Sequence, residues 1–143
     1  MTIDPYKTRI CQNCFKQCQS LTTFGFAQTV KSIEPFEFDL FPQLKEIIIP
    51  DSVTSINEKS FLSCTSLEKI TIPPTIRAIL VGTFKNCQNL SHLTIDPFQT
   101  RFEKNTFYKL NKLKSLTLYR SITYTHEFNY KYFPKLTEIT IPD

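Results

Sequence analysis

The sequence predicts a β-rich solenoid, a stack of short parallel strands joined by tight turns, with little α-helix. Three observations predict it. Apolar residues recur on a fixed 23-residue period from one end of the chain to the other, without insertion or deletion. Each period contains a short apolar–polar alternation, which ends at or next to proline in the repeats that begin at Leu44, Leu67, Leu90 and Leu136. Only two glycines, Gly25 and Gly82, are present, which excludes a flexible linker or a phosphate-cradling glycine loop. Fixed periods of this length are the signature of stacked structural repeats.

Leu21, Leu44, Leu67, Leu90, Leu113 and Leu136 mark offset zero of the period. Offset three holds Phe24, Ile47, Ile70, Leu93, Leu116 and Ile139, and offset five holds Phe26, Ile49, Ile72, Ile95, Leu118 and Ile141. Offset twelve holds Ile33, Ile56, Ile79 and Phe102, lapsing at Thr125. Offset seventeen is aromatic (Phe38, Phe61, Phe84, Phe107, Tyr130), and offset twenty holds Phe41, Cys64, Cys87, Leu110 and Phe133. The register divides residues 1–143 into one array. A partial repeat covers 1–20, full repeats cover 21–43, 44–66, 67–89, 90–112 and 113–135, and a partial repeat covers 136–143. The first segment already belongs to the pattern, because Thr2-Ile3-Asp4-Pro5 reproduces Thr94-Ile95-Asp96-Pro97.

Within a unit, the alternation from offset zero to offset five reads as a half-buried strand of four to five residues. Proline at offset six (Pro50, Pro73) has no N–H to donate and ends the pairing. The β-branched stretch that follows, DSVTSI or PTIRAI, is either a second short strand or extended backbone. The segment Ser60–Cys64 is too short for a stable α-helix and is expected to form a tight turn or one 3₁₀ turn. One unit buries too few side chains to offset the entropy of ordering it, so stability belongs to the stack. The central unit, Leu67 to Leu90, is expected to be the best protected.

The segment Leu44 to Pro73, LKEIIIPDSVTSINEKSFLSCTSLEKITIP, resembles the BspA-like leucine-rich repeats. The likeness rests on the IP after the strand, the pairs Ser60-Phe61, Thr83-Phe84 and Thr106-Phe107, and the cysteines Cys64 and Cys87 ahead of the next leucine. It departs at Asp96, Gln99 and Tyr119. The resemblance implies a leucine-rich-repeat solenoid of the horseshoe-type class that binds proteins. Its parallel sheet would lie on the concave face, with short strands and 3₁₀ turns on the convex side. It implies no catalytic motif.

Chemistry-bearing residues are few. Cys11, Cys14 and Cys18 form CxxCxxxC, but a structural zinc site needs a fourth ligand. His92 and His126 are repeats away, and Cys64, two layers from Cys18, lies ~10 Å off by strand spacing. Cys64 and Cys87 occupy adjacent layers at a spacing that permits a disulfide, although parallel inward side chains favour free thiols. No carboxylate cluster or Cys–His pair suits acid–base or nucleophilic work, so the chain is read as no enzyme, with no metal and no cofactor. Asn89-Leu90-Ser91 is a glycosylation sequon placed against a core leucine.

The net charge of +4 resides in residues 101–143, since residues 1–100 carry nine basic and nine acidic side chains. Lys104, Lys109, Lys112, Lys114, Lys131 and Lys135 fall at polar offsets, as solubilising lysines do, and nucleic acid is not the expected partner. No apolar run reaches the ~18–20 residues of a membrane span, and the opening MTIDPYKTRICQNCFK lacks the apolar centre of a secretory signal. The cytoplasm is the expected location, or the cell surface if the chain is a piece of a longer array.

The outward strand positions are the candidate site for a protein partner. They are Glu46, Lys69, His92, Ser115 and Glu138 at offset two, with Thr71, Thr94 and Thr117 at offset four. A specific surface varies its charge in this way, as does any solvated sheet face. The final strand, Thr137 to Ile141, has no following residues to cover it, which permits end-to-end self-association.

Overall fold

The structure, a computed structural model, describes residues 2–3, 18–36, 38–95, 101–102, 106–107, 110–118 and 133–141. The sequence-level lapses at Asp96, Gln99, Tyr119 and Thr125, and the aromatic Tyr130, lie outside these residues.

The described chain forms a parallel β-solenoid with two sheets. The larger contains β1 (Thr2–Ile3), β2 (Thr23–Phe26), β4 (Glu46–Ile48), β6 (Lys69–Ile72), β8 (His92–Ile95), β10 (Ser115–Leu118) and β11 (Glu138–Thr140), stacked in that order. The smaller contains β3 (Ser32–Ile33), β5 (Ser55–Ile56), β7 (Ala78–Ile79) and β9 (Arg101–Phe102). Every described pairing is parallel and joins residues one 23-residue period apart, such as Ile70↔Leu93 and Ile56↔Ile79. The stretch after the proline is therefore a second, two-residue strand.

Among the described residues three kinds of turn close the layers, and each recurs at a fixed offset. Leu44, Leu67, Leu90, Leu113 and Leu136 donate their N–H to the carbonyl three residues back, as Leu67 N does to Cys64 O at 3.2 Å. That bond explains why an apolar residue stands ahead of each leucine: its side chain fills the core while its carbonyl closes the turn. The second turn follows the long strand, where Val30, Val53 and Ile76 donate to Ala27, Pro50 and Pro73 at 3.0, 3.0 and 3.2 Å. Proline serves there because the closure uses its carbonyl and needs no N–H. The third turn carries the left-handed residues, Lys59 (φ 59) and Gly82 (φ 70) at offset fifteen, and Ser63 (φ 61) and Asn86 (φ 67) at offset nineteen. Repeat 21–43 uses a short 3₁₀ helix, Phe38–Leu40, in that position.

The core lies between the two sheets and follows the columns read from the sequence. Leu44, Leu67, Leu90 and Leu113 are buried, as are Phe24, Ile47, Ile70, Leu93 and Leu116 at offset three. The aromatic column is continuous from Phe38 to Phe84, with ring centroids 5.7 Å apart for Phe38–Phe61 and 5.8 Å for the stacked Phe61–Phe84. One column was missed: Val30, Val53 and Ile76 at offset nine are all buried. Its 23-residue spacing is visible in the sequence, but only three members precede the polar Gln99. The last layer departs from expectation in the other direction. Ile139 and Ile141 belong to core columns yet are 46% and 70% exposed, because β10 is the one described strand that pairs with β11.

Polar groups inside the stack are satisfied across layers. Ser60, Thr83 and Thr106 are buried at offset sixteen. Ser60 Oγ lies 2.8 Å from Ile33 O and 2.7 Å from Asn57 O, while Thr106 Oγ1 donates to Ile79 O at 3.2 Å. Ser60 and Thr106 thus tie one layer to the second sheet of the layer before, while Thr83 Oγ1 donates to Leu80 O of its own layer at 2.8 Å. At offset eight, Ser52 Oγ bonds Val30 O at 3.0 Å, and Thr75 Oγ1 repeats that bond to Val53 O one layer on.

Candidate functional site

Alternation along the long strands decides which side chains face solvent. In β6, Ile70 and Ile72 point inward, while Lys69 and Thr71 are exposed. In β8, Leu93 and Ile95 are buried, His92 is exposed and Thr94 is half-buried. Ser115 and Thr117 on β10 are half-buried between their neighbours, and Glu138 on β11 is exposed. All eight predicted residues, Glu46, Lys69, Thr71, His92, Thr94, Ser115, Thr117 and Glu138, therefore lie on the outer face of the seven-stranded sheet. The register aligns them in two files. Lys69, His92, Ser115 and Glu138 follow one another at offset two, and Thr71, Thr94, Thr117 and Thr140 at offset four. The threonine file is interrupted in β4 by Ile48, which is 52% exposed and stands next to Gly25 of β2.

The charges at offset two are not all free to meet a partner. Lys69 Nζ lies 3.4 Å from Glu46 Oε1, and at offset one Lys45 Nζ lies 3.1 Å from Glu68 Oε1. The dipeptide Lys45-Glu46 faces Glu68-Lys69, so four charges cancel across one layer boundary. Such exposed pairs contribute about 0.2–1 kcal/mol each. The charge variation read as a specificity signal is thus in part a cross-layer pairing pattern. Reversal of sign between residues one period apart was the signal that could have found it.

His92 is held in place by its neighbour: Ser91 Oγ lies 2.8 Å from His92 Nδ1. The Ser91 hydroxyl also lies 3.2 Å from Glu68 O, but that carbonyl already accepts the N–H groups of Ser91 and His92, both at 3.0 Å. The short Ser91–His92 contact orients the ring in either tautomer, because the direction of that bond follows which ring nitrogen carries the proton.

The remaining chemical candidates resolve simply. Cys64 and Cys87 are buried thiols not joined in a disulfide, and Cys87 Sγ donates to Phe61 O at 3.2 Å. Cys18 is half-buried and free, whereas Cys11, Cys14 and His126 lie outside the described residues. Among the described residues no group of three or more His, Cys, Asp or Glu side chains could hold a metal ion, and no helix is long and apolar enough to cross a membrane. The sequon asparagine is engaged at both ends: Asn89 Nδ2 donates to Thr65 O at 2.7 Å and Oδ1 accepts from Lys112 Nζ at 2.6 Å. A shallow cleft of about 420 Å³ opens at the last layer, lined by Phe133, Leu136, Thr137, Glu138 and Ile139.

Short parallel strands in constant register, a solvent-facing file of side chains on each, and a core fixed by a repeating leucine define a leucine-rich-repeat solenoid. The chain belongs to the BspA-type leucine-rich repeat family, whose profile matches residues 1–96 and 31–143 in six copies. Among solved structures it is similar to a leucine rich cell surface protein from Faecalibacterium prausnitzii A2-165, with a TM-score of 0.71 at 22% sequence identity. That match covers 86% of this chain and 32% of the other, so the chain spans about a third of that protein's length. No curated protein matches the sequence.

Proposed function

We propose that the protein is a non-enzymatic interaction scaffold that binds a protein partner through the outer, concave face of its seven-stranded sheet. The observation that carries this reading is the strand alternation. Inward residues from three consecutive strands fix the backbone, leaving Lys69, Thr71, His92, Thr94, Ser115 and Thr117 displayed in two straight files. Side chains displayed on a rigid sheet lose little conformational freedom on binding, which favours recognition. Family membership supports the same reading.

The test is affinity capture with the wild-type protein and with His92→Ala and Thr94→Arg variants. Both changes are expected to reduce capture of a specific partner while the melting temperature stays nearly constant. Lys69→Glu is also expected to weaken capture, but it breaks the Glu46 pair and so costs a little stability as well. Capture that survives all three changes would move the binding site to another face. A cell-surface adhesion role is a second reading, favoured by the cell-surface neighbour. Labelling of intact cells with a membrane-impermeant reagent separates the two, since only a surface protein is modified.

A further inference from the structure

The edge at which the chain enters the large sheet, at offsets twenty-two and one, changes character along the stack. In the layers around β4 and β6, charge at this edge is matched across layers, with Lys45 paired to Glu68 at 3.1 Å. Farther along, the same offsets hold Lys112, Lys114 and Lys135, all exposed. Among the described residues no carboxylate pairs with them. Lys112 Nζ donates to the neutral amide of Asn89, which leaves its charge uncancelled. Glu138, the carboxylate on β11, accepts a bond from Thr140 Oγ1 at 3.3 Å along its own strand. Ser91 and Thr137 fill the offset where Glu68 neutralises Lys45, so a carboxylate in either place could have neutralised Lys114 in the same way.

Lys112 and Lys135 share an offset in consecutive layers, about 4.8 Å apart at the backbone. Like charges at this spacing oppose one another. His92, at offset two of β8, is exposed in the file bordering this edge.

We propose that Lys112, Lys114 and Lys135, together with His92, form a docking strip for an acidic peptide segment of a protein partner. This inference rests on the sheet face being the binding surface and specifies the chemistry that surface meets. An incoming run of carboxylates relieves the lysine–lysine repulsion and accepts from the ammonium groups, giving charge-assisted hydrogen bonds, with the exposed His92 ring alongside. Nucleic acid fits less well. Three lysines neutralise few phosphates, and the exposed large apolar side chains among the described residues (Ile48, Val81, Ile139, Ile141) are aliphatic, offering bases no stacking platform.

Fluorescence anisotropy with a short labelled peptide of alternating Glu and Ser tests the strip, against a Gln–Ser peptide and an oligothymidylate of equal length. The acidic peptide is expected to bind and the neutral one not. Lys112→Gln/Lys114→Gln/Lys135→Gln is expected to lower affinity about tenfold, and His92→Gln by a smaller factor. Lys85→Gln, exposed in the turn at offset eighteen, is expected to change nothing. Circular dichroism melting confirms that each variant is folded. An equal loss in Lys85→Gln, or equal binding of the neutral peptide, overturns the proposal, and tighter binding of the oligothymidylate overturns it in favour of nucleic acid. Amide shifts at Thr71, Thr94 and Thr117 that persist in the triple lysine variant would remove the strip and keep the sheet face as a binding surface.

Discussion

Gly82 and Lys59 occupy the same offset in adjacent layers and both hold positive φ, at 70 and 59 degrees. A Cβ on Gly82 would meet Lys59 Cγ at 3.6 Å, an ordinary contact, so the demand for glycine comes from the backbone alone. Gly82→Ala is therefore expected to cost about 1 kcal/mol in urea denaturation, with an unchanged m-value. Gly82→Asn should cost less, because asparagine tolerates the left-handed region, as Asn86 does four residues on. A clash-driven cost would rank the two the other way, since asparagine is larger. Ser60 makes the second argument at this scale. Its buried hydroxyl has one hydrogen and two carbonyls within reach, Ile33 O and Asn57 O, each also taking a backbone N–H. Ser60→Ala is expected to destabilise by about 1–2 kcal/mol, whereas Ser60→Thr should be tolerated because Thr83 and Thr106 fill the same offset. Equal losses from both substitutions would show that the site is set by volume rather than by the hydroxyl.

At the scale of the element, no strand stands alone: the smaller sheet is built of two-residue strands and the larger of strands of two to four residues. Their stability comes from columns that run across layers. Phe61 is fully buried between Phe38 and Phe84, and Phe61→Ala is expected to cost about 3–5 kcal/mol. Ile139 belongs to an equally regular column but is 46% exposed, so Ile139→Ala should cost well under half as much. Thermal melts of the two variants check the contrast. These columns were legible in the sequence because a side chain's inward direction follows from strand alternation, and the partner in the next layer is always one period away. That rule found Leu67, Ile70 and Phe84 without knowledge of coordinates. It placed Ile139 and Ile141 in the core because periodicity says which way a residue points and not whether another layer lies beyond it. The candidate site was legible to the same depth. Direction along the strand put Lys69 and His92 outward, but the pairing of Lys69 with Glu46 and the tether of His92 to Ser91 depend on rotamers, which alternation does not fix.

At the scale of the molecule, contacts among the described strands pass between neighbouring layers, and stability is close to a sum of repeat and interface terms. The strand β6 pairs on both sides, with β4 and β8, and its inward residues Ile70 and Ile72 are almost completely buried. The strand β11 pairs only with β10 among the described strands, and its apolar column is open to solvent. Hydrogen exchange is expected to be slowest at the amides of β6 and β8 and fastest at β11, a gradient rather than a single value. Substitutions should follow the same geometry. Leu136→Ala, in the half-buried last leucine, is expected to raise exchange across 133–141 and leave β4 and β6 protected. Ile70→Ala removes a fully buried side chain from the middle of the stack and should raise exchange on both sides of it. If Leu136→Ala instead accelerated β4 and β6 as much as β11, the array would unfold as one cooperative unit. The outward files on β6 and β8 would then owe their rigidity to the whole stack rather than to their own neighbours.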